Sequence, residues 1–166
     1  MAFVILGLGS NMDAENRLSK ALVRLDQELD SLAISPWFES HALRGGANYL
    51  NLVATANTLL SIEDLHHLLH RIEEEQGRTR GDEDQACALD IDLICYDRQQ
   101  IRTAEYCLPR SDITEHAHVL WPLAELCPEQ THPCLGISYS DLWQERREQM
   151  LETQALWPIK KRGDSD

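Results

Sequence analysis

Basic residues are scarce in this sequence. Fifteen lysines and arginines stand against 28 aspartates and glutamates, giving a net charge of −13. Binding to nucleic acid relies on a basic face, so this balance argues against that class. A phosphate-bearing ligand must then be held locally, by a metal ion or a cluster of arginines. Long apolar runs are also missing: none approaches the roughly 20 residues that span a bilayer. The opening MAFVILGLGS lacks a basic n-region and a long apolar h-region, so it reads as a first strand rather than a signal peptide. Cysteine is present but unpatterned. Cys87, Cys95, Cys107, Cys127 and Cys134 are odd in number and include no C-x-x-C, which fits reduced thiols in a cytoplasm better than a disulfide framework or a zinc site. Internal repeats and low-complexity linkers are absent. With 166 residues, 43% of them hydrophobic, the chain can build one core, and we expect a single domain over residues 1–160 followed by a disordered tail over 161–166.

What is present centres on Ala88-Leu89-Asp90-Ile91-Asp92-Leu93-Ile94-Cys95-Tyr96. The run is apolar and strand-like but carries two aspartates two residues apart. Side chains alternate along a strand, so Asp90 and Asp92 share a face while Leu89, Ile91 and Leu93 point the other way. Two carboxylates side by side repel unless a cation sits between them. A hard divalent ion is the natural neutraliser, and Mg²⁺ commonly takes one or two carboxylates plus substrate phosphates. The alternative is a strand end whose acids simply point to water.

The other elements follow from periodicity. Phe3 to Leu8 reads as a buried strand, ending in a glycine-assisted turn at Gly7-Leu8-Gly9-Ser10-Asn11. Asp13 is placed to cap a helix carrying Leu18, Leu22, Leu25 and Leu29 at helical spacing. Leu32 to His41 is a second strand, and residues 42–47, with Gly45 and Gly46, form a loop that the paired glycines mark as mobile. Tyr49 to Leu59 is a third strand, on which Tyr49 and Asn51 share a face. Ser61 starts a second helix with a capping-box-like Asp64, its apolar stripe being Ile62, Leu65, Leu69 and Ile72, and Gly77 stops it. His66 and His70 lie one turn apart on that helix; without a third convergent ligand they read as solvated residues rather than a metal site. Tyr96-Asp97-Arg98-Gln99 reads as a hairpin turn, Val119 to Leu123 as an apolar anchor, and Ser138 to Leu151 as a last helix. The order strand, helix, strand, strand, helix, strand predicts an α+β fold, a ferredoxin-like βαββαβ sandwich with an added C-terminal α/β extension.

Taken together, Gly9-Ser10-Asn11, Tyr49-Leu50-Asn51, Arg71-Ile72-Glu73 running into Gly77-Arg78-x-Arg80, Leu89-Asp90-Ile91-Asp92, Leu108-Pro109 and Leu120-Trp121-Pro122-Leu123 resemble, in order and spacing, the 6-hydroxymethyl-7,8-dihydropterin pyrophosphokinases of folate synthesis. The resemblance covers residues 1 to about 145. It implies Mg²⁺-dependent transfer of the β,γ-diphosphoryl group of ATP to the hydroxymethyl group of a reduced pterin, with two Mg²⁺ ions held by Asp90 and Asp92. It further implies pterin contacts from Asn51, Tyr49 and His118, and ATP contacts from Glu73, Arg78, Arg80, Arg110 and His116, with Arg78 also catalytic. The implied partners are ATP and a reduced pterin only, with no nucleic acid or membrane, and the implied state is a cytoplasmic monomer. Several positions depart from the family pattern. Cys87 stands where an arginine is usual, the loop before it is the acidic Gly81-Asp82-Glu83-Asp84-Gln85, and Arg110 replaces a histidine. His116-Ala117-His118 replaces R-x-F, and Ser40-His41-Ala42 replaces a threonine–proline start. These departures support a rival expectation: a paralogue that keeps a pterin pocket but has impaired or altered ATP chemistry, serving as a pterin- or partner-binding protein. A third reading, a metal-dependent hydrolase, uses His116, His118 and the two aspartates.

Overall fold

The computed structural model describes residues 1–41, 46–77 and 88–159. Its elements in chain order are β1 (Ala2–Ser10), α1 (Ala14–Glu28), β2 (Asp30–Ile34), β3 (Trp37–Ser40), β4 (Tyr49–Thr58), α2 (Ile62–Glu75), β5 (Asp90–Tyr96), β6 (Ile101–Arg102), β7 (Cys107–Leu108), α3 (Asp112–Glu115), α4 (Ala117–Leu126), α5 (Tyr139–Thr153) and β8 (Leu156–Ile159). The main sheet runs β5-β1-β4-β3-β8, all neighbours antiparallel, and β2 also pairs with β4. This is the ferredoxin-like order, with β8 added at one edge by the C-terminal extension.

Alternation along the strands sorts the core into two layers. Val4, Leu6, Leu8, Leu52, Ala54, Ile91 and Leu93 face α1 and α2, where they meet Leu18, Leu22, Leu25, Leu65, Leu69 and Ile72. Ile5, Phe38, Val53 and Ile94 face the other way, against Leu120, Leu123, Tyr139, Leu142 and Trp143 from α4 and α5. Trp121 bridges this second layer, tilted on Phe38 at 4.9 Å and stacked on Trp143 at 5.1 Å. Aromatic pairs at such separations add to the simple burial of area. Both faces of the sheet are therefore covered, except at the end where β1, β4 and β5 carry small or polar residues.

Several local expectations are revised. Gly7 and Gly9 lie inside β1, not in a turn. Gly9 is crowded, since a Cβ there would sit 3.2 Å from Asn51 Oδ1, whereas one at Gly7 would make an ordinary contact of 3.4 Å with Ile94 Cδ1. Asp13 does occupy the N-cap of α1, but in a left-handed conformation without a capping bond; its carboxylate accepts from Asn16 Nδ2 instead. Ser61 caps α2 as expected, accepting from the Asp64 N–H at 3.1 Å, and Gly77 follows the helix at φ 90°. The turn after β5 does not fold the chain back onto β5, because β6 pairs with β7. The apolar anchor at 119–123 is part of α4.

The predicted strand 32–41 is split into β2 and β3 at Ser35-Pro36. Proline has no N–H to give the ladder. Ser35 closes the gap. Its N–H donates to the Val53 carbonyl at 2.8 Å, while its Oγ accepts the Val53 N–H at 2.9 Å and donates to the Pro36 carbonyl at 2.7 Å. Ser35→Ala leaves the Val53 N–H unpaired inside the sheet, so urea unfolding should show a loss of about 1–3 kcal/mol. A change below a few tenths would mean that the sheet closes without the hydroxyl.

Candidate functional site

Cross-strand register assembles the site. Gly9 on β1 lies opposite Asn51 on β4 and opposite Asp90 on β5, while Gly7 lies between Val53 and Asp92 in the same way. Directly opposed residues in an antiparallel sheet point to the same face. Asn51, Asp90 and Asp92 therefore project from one side, shared with Ile5, Phe38 and Val53, and Gly9 contributes only bare backbone between Asn51 and Asp90. Strands two apart are roughly 10 Å from each other. The result is a floor between an amide and a carboxylate pair, on which a flat ligand can lie.

Each side chain on that floor is held. Asn51 is 6% exposed, and its Nδ2 donates to Ser40 Oγ at 3.0 Å. That bond turns Oδ1 toward Gly9. Tyr49 stands at the start of the same strand, two residues before Asn51 on the same face. Asp92 and Asp90 share a hydrogen bond, and the Asp92 carboxyl is raised to about 7, first by burial and then by the Asp90 charge. Two sets of hard oxygen donors held this close on one rigid strand fit a divalent ion such as Mg²⁺.

The opposite wall comes from the segment after β7. Arg110 N–H donates to the Ile94 carbonyl at 2.9 Å, fixing this segment alongside β5. The Arg110 Nε bonds Asp112 Oδ1 at 3.0 Å. Burial works against the Arg110 charge, but the fields of Asp92 and Asp112 outweigh it, and the guanidinium stays firmly protonated. His116, at the N-cap of α4, stacks on His118 with ring centroids 5.1 Å apart and planes 19° from parallel. His118 is pushed below the ordinary histidine range by burial and by His116, against the fields of Asp112 and Asp90.

Glu73 lies beneath the sheet, on α2, and is 6% exposed. Its Oε2 accepts the Ile91 N–H at 2.8 Å. β5 is an edge strand whose sheet neighbour is β1, and Ile91 sits between the two aspartates. Glu73 therefore grips the backbone that carries the acid pair.

The structure thus brings together Asn51, Tyr49, Asp90, Asp92, Arg110, His116 and His118 on one side of the sheet, and sets Glu73 on the other. Arg78, Arg80 and Cys87 lie outside the described residues, as do the acidic loop 81–85, most of the glycine loop at 42–47, and the tail beyond Ile159. Sequence reasoning missed Ser40, Asp112 and the roles of Gly7 and Gly9. A glycine at alternate positions of an apolar strand was the available signal for the last two; the others depend on chain pairings that spacing does not reveal. Among the described residues, no group of three or more histidines, cysteines, aspartates or glutamates is placed to hold a metal ion, which leaves the hydrolase reading without a ligand set there. No described helix is long and apolar enough to cross a membrane.

Comparison with known proteins follows this geometry. Residues 5–128 match the family model for 7,8-dihydro-6-hydroxymethylpterin-pyrophosphokinase. A 2-amino-4-hydroxy-6-hydroxymethyldihydropteridine pyrophosphokinase of Aquifex aeolicus is 33% identical over 136 residues, which is 80% of this chain and 85% of the relative. The enzyme of the same name from Pseudomonas aeruginosa is 32% identical over 136 residues, covering 78% of this chain and 83% of its own. In fold, the chain is similar to the Plasmodium falciparum HPPK-DHPS crystallised with pterin and p-hydroxybenzoate. The TM-score is 0.73 at 14% identity, over 92% of this chain and 44% of that one. The chain spans under half of that longer protein. Matched over most of its length by both the family model and relatives above 30% identity, the chain belongs to the 7,8-dihydro-6-hydroxymethylpterin-pyrophosphokinase family.

Proposed function

We propose that the protein transfers the β,γ-diphosphoryl group of ATP to the hydroxymethyl group of a reduced pterin. The observation that carries this reading is the row Asn51–Gly9–Asp90, with Asp92 beside it: an amide to grip a flat heterocycle, bare backbone for it to lie on, and two acids at its far end. The hydroxymethyl oxygen forms a bond to the β-phosphorus, the bond from that phosphorus to the α,β-bridging oxygen breaks, and AMP leaves as the hydroxyl proton is released. Phosphoryl-group transfer asks a protein mainly for positioning and electrostatic stabilisation.

Asn51, fixed by Ser40, hydrogen-bonds the pterin edge, and Tyr49 and His118 flank the ring. Asp90 and Asp92 hold two Mg²⁺ ions, which supply neutralisation of the phosphate charge and alignment of the two reacting oxygens. Arg110 and His116 are assigned to the ATP phosphates together with Arg78 and Arg80, and Arg78 is also assigned a catalytic role. For Glu73 we replace an ATP contact with a positioning role, because its carboxylate is buried against Ile91. The protein acts as a monomeric single domain in the cytoplasm. The amide, the acid pair and the family membership all support transfer over a binding-only paralogue.

With ATP, Mg²⁺ and 6-hydroxymethyl-7,8-dihydropterin, the protein should release AMP in equal amount to diphosphorylated pterin. ADP as the nucleotide product, or pterin binding without turnover, would overturn the reading.

Asp92→Asn supplies a second test. The Asp92 carboxyl is raised in the fold, so its contribution favours the folded state below the ordinary aspartate range and is lost as pH rises toward about 7. Without metal, the variant should therefore match the parent near pH 4 and exceed it above pH 7, by on the order of a few kcal/mol. Mg²⁺ with a non-hydrolysable ATP analogue should raise the parent's Tm and leave the variant's unchanged. Equal stabilisation of both would remove Asp92 from the metal site.

Glu73→Gln keeps an oxygen for the Ile91 N–H but weakens a charge-assisted bond by roughly 1 kcal/mol. We expect a lower kcat with the ATP Kd little changed, together with faster amide exchange at Ile91. A selective loss of ATP affinity at unchanged Ile91 exchange would restore the nucleotide contact.

A further inference from the structure

The ring of His118 is held by a residue far away in the chain. Gln154, the C-cap of α5, reaches back 36 positions: its Oε1 lies 3.3 Å from the His118 backbone nitrogen, and its Nε2 lies 2.9 Å from His118 Nδ1. The first of these contacts decides the second. A backbone N–H can only donate, so the amide atom facing it must be the oxygen. The amide NH₂ is then turned toward the imidazole, and it too can only donate. Nδ1 must accept, which means that it carries no proton.

The anchor has its own reason. His118 lies in the first turn of α4, whose N–H groups lack intrahelical partners, and the N-cap residue His116 makes no side-chain capping bond. Gln154 fills that vacancy from outside the helix. It therefore caps α4 and orients the ring with the same amide.

We infer that Gln154 is a positioning residue that locks His118 as the neutral imidazole with its proton on Nε2, so that this residue offers the site a flat uncharged face and one N–H donor, and no positive charge. A ligand atom meeting the free edge of the ring must then be a hydrogen-bond acceptor, such as a pterin ring nitrogen, carbonyl or hydroxymethyl oxygen. The other groups whose fields reach His118 are His116, Asp112 on α3 and Asp90 on β5. All of these stay in place when Gln154 alone is altered. The link to substrate rests on the pyrophosphokinase reading, whereas the proton position does not.

The test is ring-nitrogen NMR on ¹⁵N-histidine-labelled protein at neutral pH, with His118 assigned by the signals lost in His118→Asn. Nε2 should resonate as a protonated ring nitrogen and Nδ1 as an unprotonated one. In Gln154→Glu, which keeps shape and still accepts the backbone N–H, the second carboxylate oxygen demands a donor, so a proton should appear on Nδ1. In Gln154→Ala the lock is gone and both tautomers should be populated. A parent ring already protonated on Nδ1, or one whose state is identical in all three proteins, overturns the inference. The His132 and His66 signals serve as the check that each variant is folded. Failure of AMP release in the parent would sink the proposed reaction while leaving this ring state readable.

Discussion

Two carboxylates on one face of an edge strand repel each other, and the site is arranged around that repulsion. Asp90 and Asp92 cannot turn away, because β5 alternates its side chains and Ile91 and Leu93 are committed to the core beneath. Nor is the strand free to fray there, since Glu73 holds the Ile91 N–H from below. The Asp92 carboxyl is instead raised by burial and by the Asp90 charge, with a hydrogen bond between the two acids, and hard oxygen donors so placed fit a divalent ion. Both the fixed strand and the uncompensated charge are needed. A flexible pair would separate, and a pair already bridged by arginine would have no use for metal.

Much of this was legible in the chain. The D-x-D within an apolar strand gave the acid pair, its shared face and the opposite commitment of Leu89, Ile91 and Leu93, because strand periodicity is a property of the backbone. Helix α2 was read correctly down to its Ser61 cap, a contact within four residues. Register was not legible. Nothing local says that Gly9 faces both Asn51 and Asp90, so spacing alone predicts a turn where the structure places the floor. The Ser35-Pro36 break was missed for a related reason: a proline in a strand signals an edge or a bulge, but here a serine hydroxyl replaced the missing ladder bond and let pairing resume one residue out of step.

The structure adds a backbone contact to the nucleotide contact that the resemblance implies for Glu73. Its place in Arg71-Ile72-Glu73 suggested a nucleotide contact, yet the stripe Leu65, Leu69, Ile72 already turns that part of α2 toward the sheet. A glutamate between buried positions at the end of such a stripe needs a backbone donor, and the open edge of β5 offers one. Burial of a carboxylate without a partner costs several kcal/mol, so the Ile91 bond is a requirement of its position rather than an accessory to it.

The replacements on the opposite wall follow the same logic of charge. An arginine–phenylalanine pair brings a permanent cation and an apolar ring; His116 and His118 bring two imidazoles in contact. Burial lowers the His118 ring below the ordinary histidine range and its amide anchor fixes it, which leaves a flat uncharged face. Arg110, bound to Asp112 and drawn by Asp92, supplies a cation whose field reaches the acid pair. The wall thus sets a charged guanidinium at Arg110 and a flat ring at His118 on the same side of the sheet as the acid pair.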